Sequence, residues 1–332
     1  MKLLRVALLV VGVAFLVALV ATHDPEAIFA QISQLSWRLA VIAVFPFAVI
    51  TAFDTLGWHF AFLRTRVPFR ILLAVRLAGE AFNLTTPTGS IGGEVVKAWM
   101  LRSRVPLDEA VLSVVVAKTT IMIGQGLFLV VGIVVTWLAA PPDSRLLAWM
   151  VWLLAVEVLA IVGFLVAQIR GGFAWVPRLL ARLGLGRQRH GETVVARLDR
   201  GLVLFYRNEP RRLALSIFFH FVAWLLGSLE AYFILYLLGL EVSLATATII
   251  EAFGTAVRFA TFLVPASLGA LEGGYVATFT ALGLAPSAGV AFGLTRRVRE
   301  ILWIAVGFVV FAVIRSGAPD GVARPVKAAE PE

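Results

Sequence analysis

Residues 87–94 read Pro87-Thr88-Gly89-Ser90-Ile91-Gly92-Gly93-Glu94, and residues 265–272 read Pro265-Ala266-Ser267-Leu268-Gly269-Ala270-Leu271-Glu272. In each stretch a proline precedes a glutamate by seven positions, glycines lie between them, and apolar sequence flanks both sides. A basic residue follows each glutamate by 24 positions, Lys118 in one case and Arg296 in the other. Upstream, Glu80-Ala81-Phe82 echoes Glu251-Ala252-Phe253, although the spacing to the proline differs by seven residues. One Pro-x6-Glu pair is an ordinary accident in a helical chain. Two of them with matching distal cations point to an internal repeat.

The medium around that repeat is lipid. Of 332 residues, 60% are hydrophobic and only 15% charged, against roughly a quarter charged in a soluble domain. The apolar residues fall in blocks of about 20, the length a helix needs to cross a hydrocarbon core of roughly 30 Å. The net charge of +9 would suggest nucleic acid for a soluble protein, but basic residues also collect in the cytoplasmic loops of membrane proteins. No nucleic-acid partner is expected. There is no cysteine, which excludes disulfides, thiolate chemistry and cysteine metal sites.

Six spans are expected: 3–21, 37–63, 110–140, 146–169, 213–240 and 288–314. The first resembles a signal peptide, with Lys2 and Arg5 before an apolar run. Leu19 stands where cleavage would favour a small residue, so the segment reads as a retained span, followed by a short acidic loop with Asp24 and Glu26. The stretches 71–101 and 244–283 are apolar but broken halfway by Pro and Gly. Each half is about a dozen residues, too short to cross. Basic residues flank the first of these on both sides: Arg64, Arg66, Arg70 and Arg76 before it, Lys97, Arg102 and Arg104 at its end. The second has no basic flank. The positive-inside rule therefore makes them re-entrant hairpins entering from opposite sides. Residues 170–212 hold ten arginines, no lysine and three acidic residues, whereas Arg145 is the only basic residue in the expected outer loops. Both termini should lie in the cytoplasm. The fold class is all-α and polytopic, an inverted repeat with halves at about 37–140 and 213–314. One transmembrane domain covers 1–316, and 317–332 form a disordered tail.

Ionisable residues inside a bilayer cost roughly 2.5–3.5 kcal/mol each at a helix centre, so they are seldom incidental. Glu94 with Lys118, and Glu272 with Arg296, are candidate pairs, either structural or lining a head-group site. Arg258 with Glu251 is another. Arg296, Arg299 and Glu300 share one helical face, and Arg297 adds further charge. The glycines at the breaks, Gly89, Gly92 and Gly93 in one and Gly269, Gly273 and Gly274 in the other, allow two readings. They either free backbone N–H groups for an anion or permit close helix packing. Asp54, His59, Glu157, His220 and Glu230 stand alone in spans, suited to interhelical bonds more than to a relay. Residues 192–207 alternate Val194, Val195, Leu198, Leu202 and Phe205 with arginines, the pattern of a helix lying on a membrane face.

No phosphate-binding P-loop, zinc motif, nucleophile elbow or Cys/His constellation occurs, so an enzyme is not expected, nor a cofactor. Asn83 to Pro87, Gly92-Gly93-Glu94 with Val96-Lys97-Ala98, Val116 to Thr119 with Gln125, Pro265 to Gly274, and Arg296 to Glu300 together resemble the flippase-like family that includes the transmembrane region of lysylphosphatidylglycerol synthases, over roughly residues 5–316. The Ala-Leu-Glu-Gly-Gly form at 270–274 is most similar to the HpnL-type, hopanoid-associated branch. The resemblance implies lipid movement between leaflets of a bacterial cytoplasmic membrane, with a hopanoid or related lipid as substrate and lipid-biosynthesis enzymes as partners. Two departures stand out. Ala117 replaces an acidic residue frequent in relatives, and only 17 residues follow Arg315, so no aminoacyl-transferring domain is expected.

Inverted repeats with broken helices near mid-membrane are how many transporters build a site and alternate its access. The reading is therefore a lipid flippase. Pro87, Gly89, Gly92, Gly93, Glu94, Lys118, Arg258, Pro265, Gly269, Glu272, Arg296, Arg297 and Arg299 line, brace or gate its site. The other classes are a membrane enzyme or accessory of lipid or lipid-linked sugar synthesis, and a small polar solute transporter.

Overall fold

A computed structural model describes residues 2–35, 37–86, 91–141, 144–169 and 191–316. Pro87 and Gly89, singled out above, lie outside them, as do much of the basic loop and the tail. Twelve helices are described: α1 (Lys2–Thr22), α2 (Pro25–Gln34), α3 (Arg38–His59), α4 (Phe69–Thr85), α5 (Gly92–Leu101), α6 (Leu107–Ala139), α7 (Leu146–Ile169), α8 (Gly191–Asn208), α9 (Pro210–Leu237), α10 (Leu244–Ala260), α11 (Ala270–Ala281) and α12 (Pro286–Ser316).

Their ends follow local chemistry. Proline opens α2, α9 and α12, where its missing N–H costs nothing. Asp24 and Ser243 accept N-cap bonds from Ala27 N at 3.1 Å and Thr246 N at 3.0 Å. Gly239 and Gly283 end α9 and α11 with φ of 80° and 75°, the left-handed geometry that glycine takes without penalty. The expected acidic loop after the first span is thus the cap and first turn of a helix. That helix, α2, buries Ile28 against Val290 and Ala291 of α12.

α3, α6, α7 and α9 are each long and apolar enough to span a membrane, and the pair Val10–Thr22 and Pro25–Ser33, bent by 92°, forms a fifth candidate. α12 fills the place of the expected sixth span, but four charges at Arg296, Arg297, Arg299 and Glu300 interrupt its apolar run. The two hairpins are present as helix pairs, α4 with α5 and α10 with α11. Their first halves are longer than expected, 17 residues each, or about 25 Å.

The repeat is visible in which helices touch. α3 packs on α9, α4 on α12 and α10 on α6, while α5 leans on α6 as α11 leans on α12. Exchanging α3–α6 for α9–α12 maps this set onto itself. The central pair gives the handedness of the exchange. Leu35 and Ile42, before and near the start of α3, share a cluster with Ile234 and Leu235 near the end of α9. At the other end, Ser216 of α9 donates to the carbonyl of Gly57 at 2.8 Å. Equivalent helices run antiparallel, so the halves are inverted. The Glu-Ala-Phe echo lies at equivalent crossings: Ala81 meets Gly307 of α12, and Ala252 meets Gly132 of α6. In lipid, such small-residue contacts are what drives helix association.

α8 corrects an expectation. Its apolar stripe does not rest on lipid: Leu198, Leu202 and Phe205 are buried in a cluster with Leu72 and Leu112. Tyr206 pins the helix by donating to Gln168 Oε1 at 2.7 Å, and Gln168 donates to Thr119 at 2.9 Å.

Candidate functional site

The two helix breaks meet at one cavity of about 710 Å³. Asn83, Thr86 and Ile91 come to it from the α4–α5 break, and Phe262, Ala266 and Ser267 from the α10–α11 break. The walls between them belong to α6, α7 and α9 and are mainly apolar.

Charged side chains from the first half gather at one part of this cavity. Arg76 Nη2 donates to Asp54 Oδ2 at 2.7 Å, and His220 Nδ1 lies 3.1 Å from the other oxygen of Asp54. Lys97 Nζ sits 3.0 Å from Glu94 and 3.7 Å from Glu80. Asn83 Nδ2 donates to Glu94 at 3.1 Å, and Asn83 Oδ1 accepts from Gly93 N at 2.8 Å. Glu94 therefore pairs with Lys97 one turn along its own helix, not with Lys118. Lys118 is near enough for its charge to act on Glu94, but among the described residues no hydrogen bond or ion pair reaches its ammonium.

The second half builds a denser network behind the α10–α11 break. Arg297 Nε donates to Glu272 Oε1 at 2.6 Å, and its Nη1 reaches Glu300 Oε2 at 2.6 Å and the carbonyl of Ala266 at 2.8 Å. Arg296 instead meets Glu251 at 2.6 Å, Glu230 at 3.3 Å and the hydroxyl of Tyr275 at 2.8 Å. Arg299 also pairs with Glu230, and Arg258 Nη2 donates to Glu300 at 2.6 Å. The expected pairs Glu272–Arg296 and Glu251–Arg258 are both replaced by neighbours. A helix turns about 100° per residue, so adjacent arginines on α12 address different helices. Four carboxylates and four guanidiniums close a balanced set, the condition for burying such charges.

This network holds an unusual turn. Ala266, Ser267 and Gly269 have φ of 50°, 51° and 76°, and left-handed backbone is costly for the two that are not glycine. Glu272 Oε2 accepts from Gly269 N at 2.8 Å while Arg297 holds Ala266. Pro265 forms, with them, the short turn between α10 and α11.

Gly93, Gly269, Gly273 and Gly274 serve packing. A β-carbon on Gly93 would collide with the carbonyl oxygen of Gly79, one on Gly273 would come within 2.9 Å of Phe15, and Gly274 faces Val257. The N–H groups of Gly93 and Gly269 are bonded to Asn83 and Glu272 and are not available to an anion. Gly92 opens α5. Of the expected site residues, Glu94, Lys118 and Arg258 line the cavity; Glu272, Arg296, Arg297 and Arg299 brace the helices behind it. Asp54, His220 and Glu230, read as solitary, have partners 22 to 166 positions away. Spacing could not reveal those partners. The rule that a charge in lipid needs a mate could have prompted the search.

A family model described as the lysylphosphatidylglycerol synthase TM region matches residues 3–307. A UPF0104 membrane protein of Methanothermobacter thermautotrophicus is 25% identical over 312 residues, covering 87% of this chain and 89% of that relative. No solved structure matches.

Proposed function

The chain belongs to the lysylphosphatidylglycerol synthase transmembrane-region family, and from that premise we propose that it is a lipid transporter, moving an amphiphilic lipid between membrane leaflets, and not an enzyme. The supporting observation is a cavity of about 710 Å³ lined by both helix breaks of an inverted repeat. Its rim carries Val156, Ile91, Phe262 and Leu263, 47, 49, 55 and 61% exposed. Large apolar side chains at a mouth suit acyl chains or a fused-ring lipid, whereas a polar solute would need a wetted entrance. Charges at one part of the same cavity give a head group a place to stay while its tail remains in the apolar part.

The excess of arginine in 170–212 sets the orientation, with both termini at the cytoplasmic face of the cytoplasmic membrane. The substrate is a hopanoid or an anionic phospholipid, and enzymes that make that lipid are the natural partners. Transport runs on a gradient or downhill.

Proteoliposomes test the reading. With folded protein confirmed, fluorescent phospholipid and hopanoid analogues in the inner leaflet should become accessible to an external quencher faster than in empty liposomes. Unchanged rates for every amphiphile, or product formation from lipid precursors in detergent, overturn it.

A further inference from the structure

Resting on the lipid-transport reading, we propose that the protein couples lipid movement to protons, and that the coupling proton binds at Nε2 of His220, where the two halves of the repeat cross.

His220 lies on α9 and Asp54 on α3. Among the described residues theirs is the one ion-pairing contact that joins a helix of one half to a helix of the other; the remaining pairs of the two networks stay inside their own half. Asp54 lines the cavity, whereas the His220 ring is wholly buried. Asp54 Oδ2 accepts from Arg76 at 2.7 Å, which leaves Oδ1, 3.1 Å from Nδ1, to accept the ring's N–H. In that tautomer Nε2 carries no proton, and among the described residues it has no hydrogen-bond partner. It lies against α3, where a β-carbon on Gly57 would stand 2.6 Å from it. Histidine is the side chain that ordinarily changes charge near neutrality. The second half's network of arginines, carboxylates and Tyr275 contains none.

A proton taken up at Nε2 alters this crossing. The imidazolium gains a second N–H that needs an acceptor, and the arrangement seen offers none among the described residues. The charges that act most on the ring are those of Asp54 on α3, Arg76 on α4 and Lys97 on α5. α6 meets it through Gly124, while Glu251 of α10 and the arginines of α12 meet α9 two turns or more further along, at Gly227 and Glu230. An arrangement of α3 and α9 that gives Nε2 water or an acceptor therefore holds the proton more tightly, and a ligand with unequal affinity for two states shifts the balance between them. The proton joins Nε2 from water on one side of the membrane and leaves the same atom to water on the other, so the ring returns to its neutral form once per cycle.

The chain has no cysteine, so spin labels can be attached through Ile91→Cys and Phe262→Cys, one at each helix break. In detergent, the distance between labels should shift from one population to another between about pH 8 and pH 5, as a one-proton titration. His220→Asn keeps a donor near the place of Nδ1 but cannot take the proton, and its distances should not change with pH. Glu157→Gln, which removes another buried titratable side chain without a partner, should leave the shift intact. Proteoliposomes of the unsubstituted protein supply a measurement that stands even if His220→Asn fails to fold. With the membrane potential clamped, a trace of fluorescent phospholipid should accumulate in one leaflet under a pH gradient, by up to about tenfold per pH unit for one proton per lipid. A protonophore should abolish that asymmetry. Label distances that ignore pH in the otherwise unsubstituted protein, a shift that survives in His220→Asn or vanishes in Glu157→Gln, or movement that ends in equal leaflets whatever the gradient overturns the proposal. A shift that depends on His220, with no movement of any amphiphile, would sink the transport reading and leave the proton site standing; movement that ignores the gradient would do the reverse.

Discussion

Glu272 accepts from Arg297 Nε at 2.6 Å while its second oxygen accepts from the N–H of Gly269 at 2.8 Å, so one buried carboxylate fastens α12 to the turn between α10 and α11. Removing one partner of such a pair leaves a buried charge uncompensated, at about 3–5 kcal/mol. Glu272→Ala should therefore lower the thermal unfolding temperature in detergent markedly. Glu272→Gln keeps an acceptor for Gly269 and should lose distinctly less. Equal losses in the two variants would mean that the turn does not depend on that hydrogen bond.

Gly93→Ala should prevent the first hairpin from closing. The new methyl would meet the carbonyl oxygen of Gly79 and the amide of Asn83, both held within the hairpin, at a cost of at least about 1–3 kcal/mol for overpacking. Gly126→Ala, whose methyl would find only Ile161 at 3.7 Å, serves as the comparison. Size-exclusion profiles and melting curves should show the first variant depleted of folded monodisperse protein and the second unaffected.

These two positions illustrate what could be read in advance. The hairpins and their inversion were legible because Pro-x6-Glu interrupts apolar sequence twice and because arginine is distributed unequally among the loops. The ion pairs were not. Matching Glu94 to Lys118 and Glu272 to Arg296 by their common offset ignored that pairing depends on helix rotation: Lys97 lies one turn from Glu94, and Arg297 points about 100° away from Arg296. The first of these could have been found from i, i+3 spacing alone. Links such as Asp54 to His220 join α3 to α9 across 166 positions and exist only once those helices cross. The α8 stripe misled for a related reason. Amphipathicity says that one face is apolar but does not say whether lipid or protein covers it.

Phe205→Ala discriminates between those two covers. Phe205 is buried in the cluster with Leu72 and Leu112, and truncating a buried phenylalanine costs about 3–5 kcal/mol. The expected outcome is a clear drop in melting temperature of the detergent-solubilised protein. A helix resting on lipid would give no such drop in detergent.

Glu157 offers the opposite case, a substitution that should stabilise. It lies in the middle of α7, fully buried, and among the described residues neither carboxyl oxygen has a hydrogen-bond partner. A polar group buried without a partner costs about 1–3 kcal/mol by protein mutational data, and no cation of the described network reaches it. Val156 and Ala160 on the same helix line the cavity, so the carboxyl sits beside that cavity without forming part of its wall. Replacing it by leucine removes the unsatisfied oxygens while keeping similar volume. Glu157→Leu should then raise the melting temperature, and Glu157→Gln, still unpartnered, should change it little. A lower melting temperature for the leucine variant would reveal a hydrogen-bonding role for Glu157. If the leucine variant is more stable but slower in the proteoliposome assay, the carboxyl is kept for function at the expense of stability, the trade expected of an unpaired ionisable group inside a membrane protein.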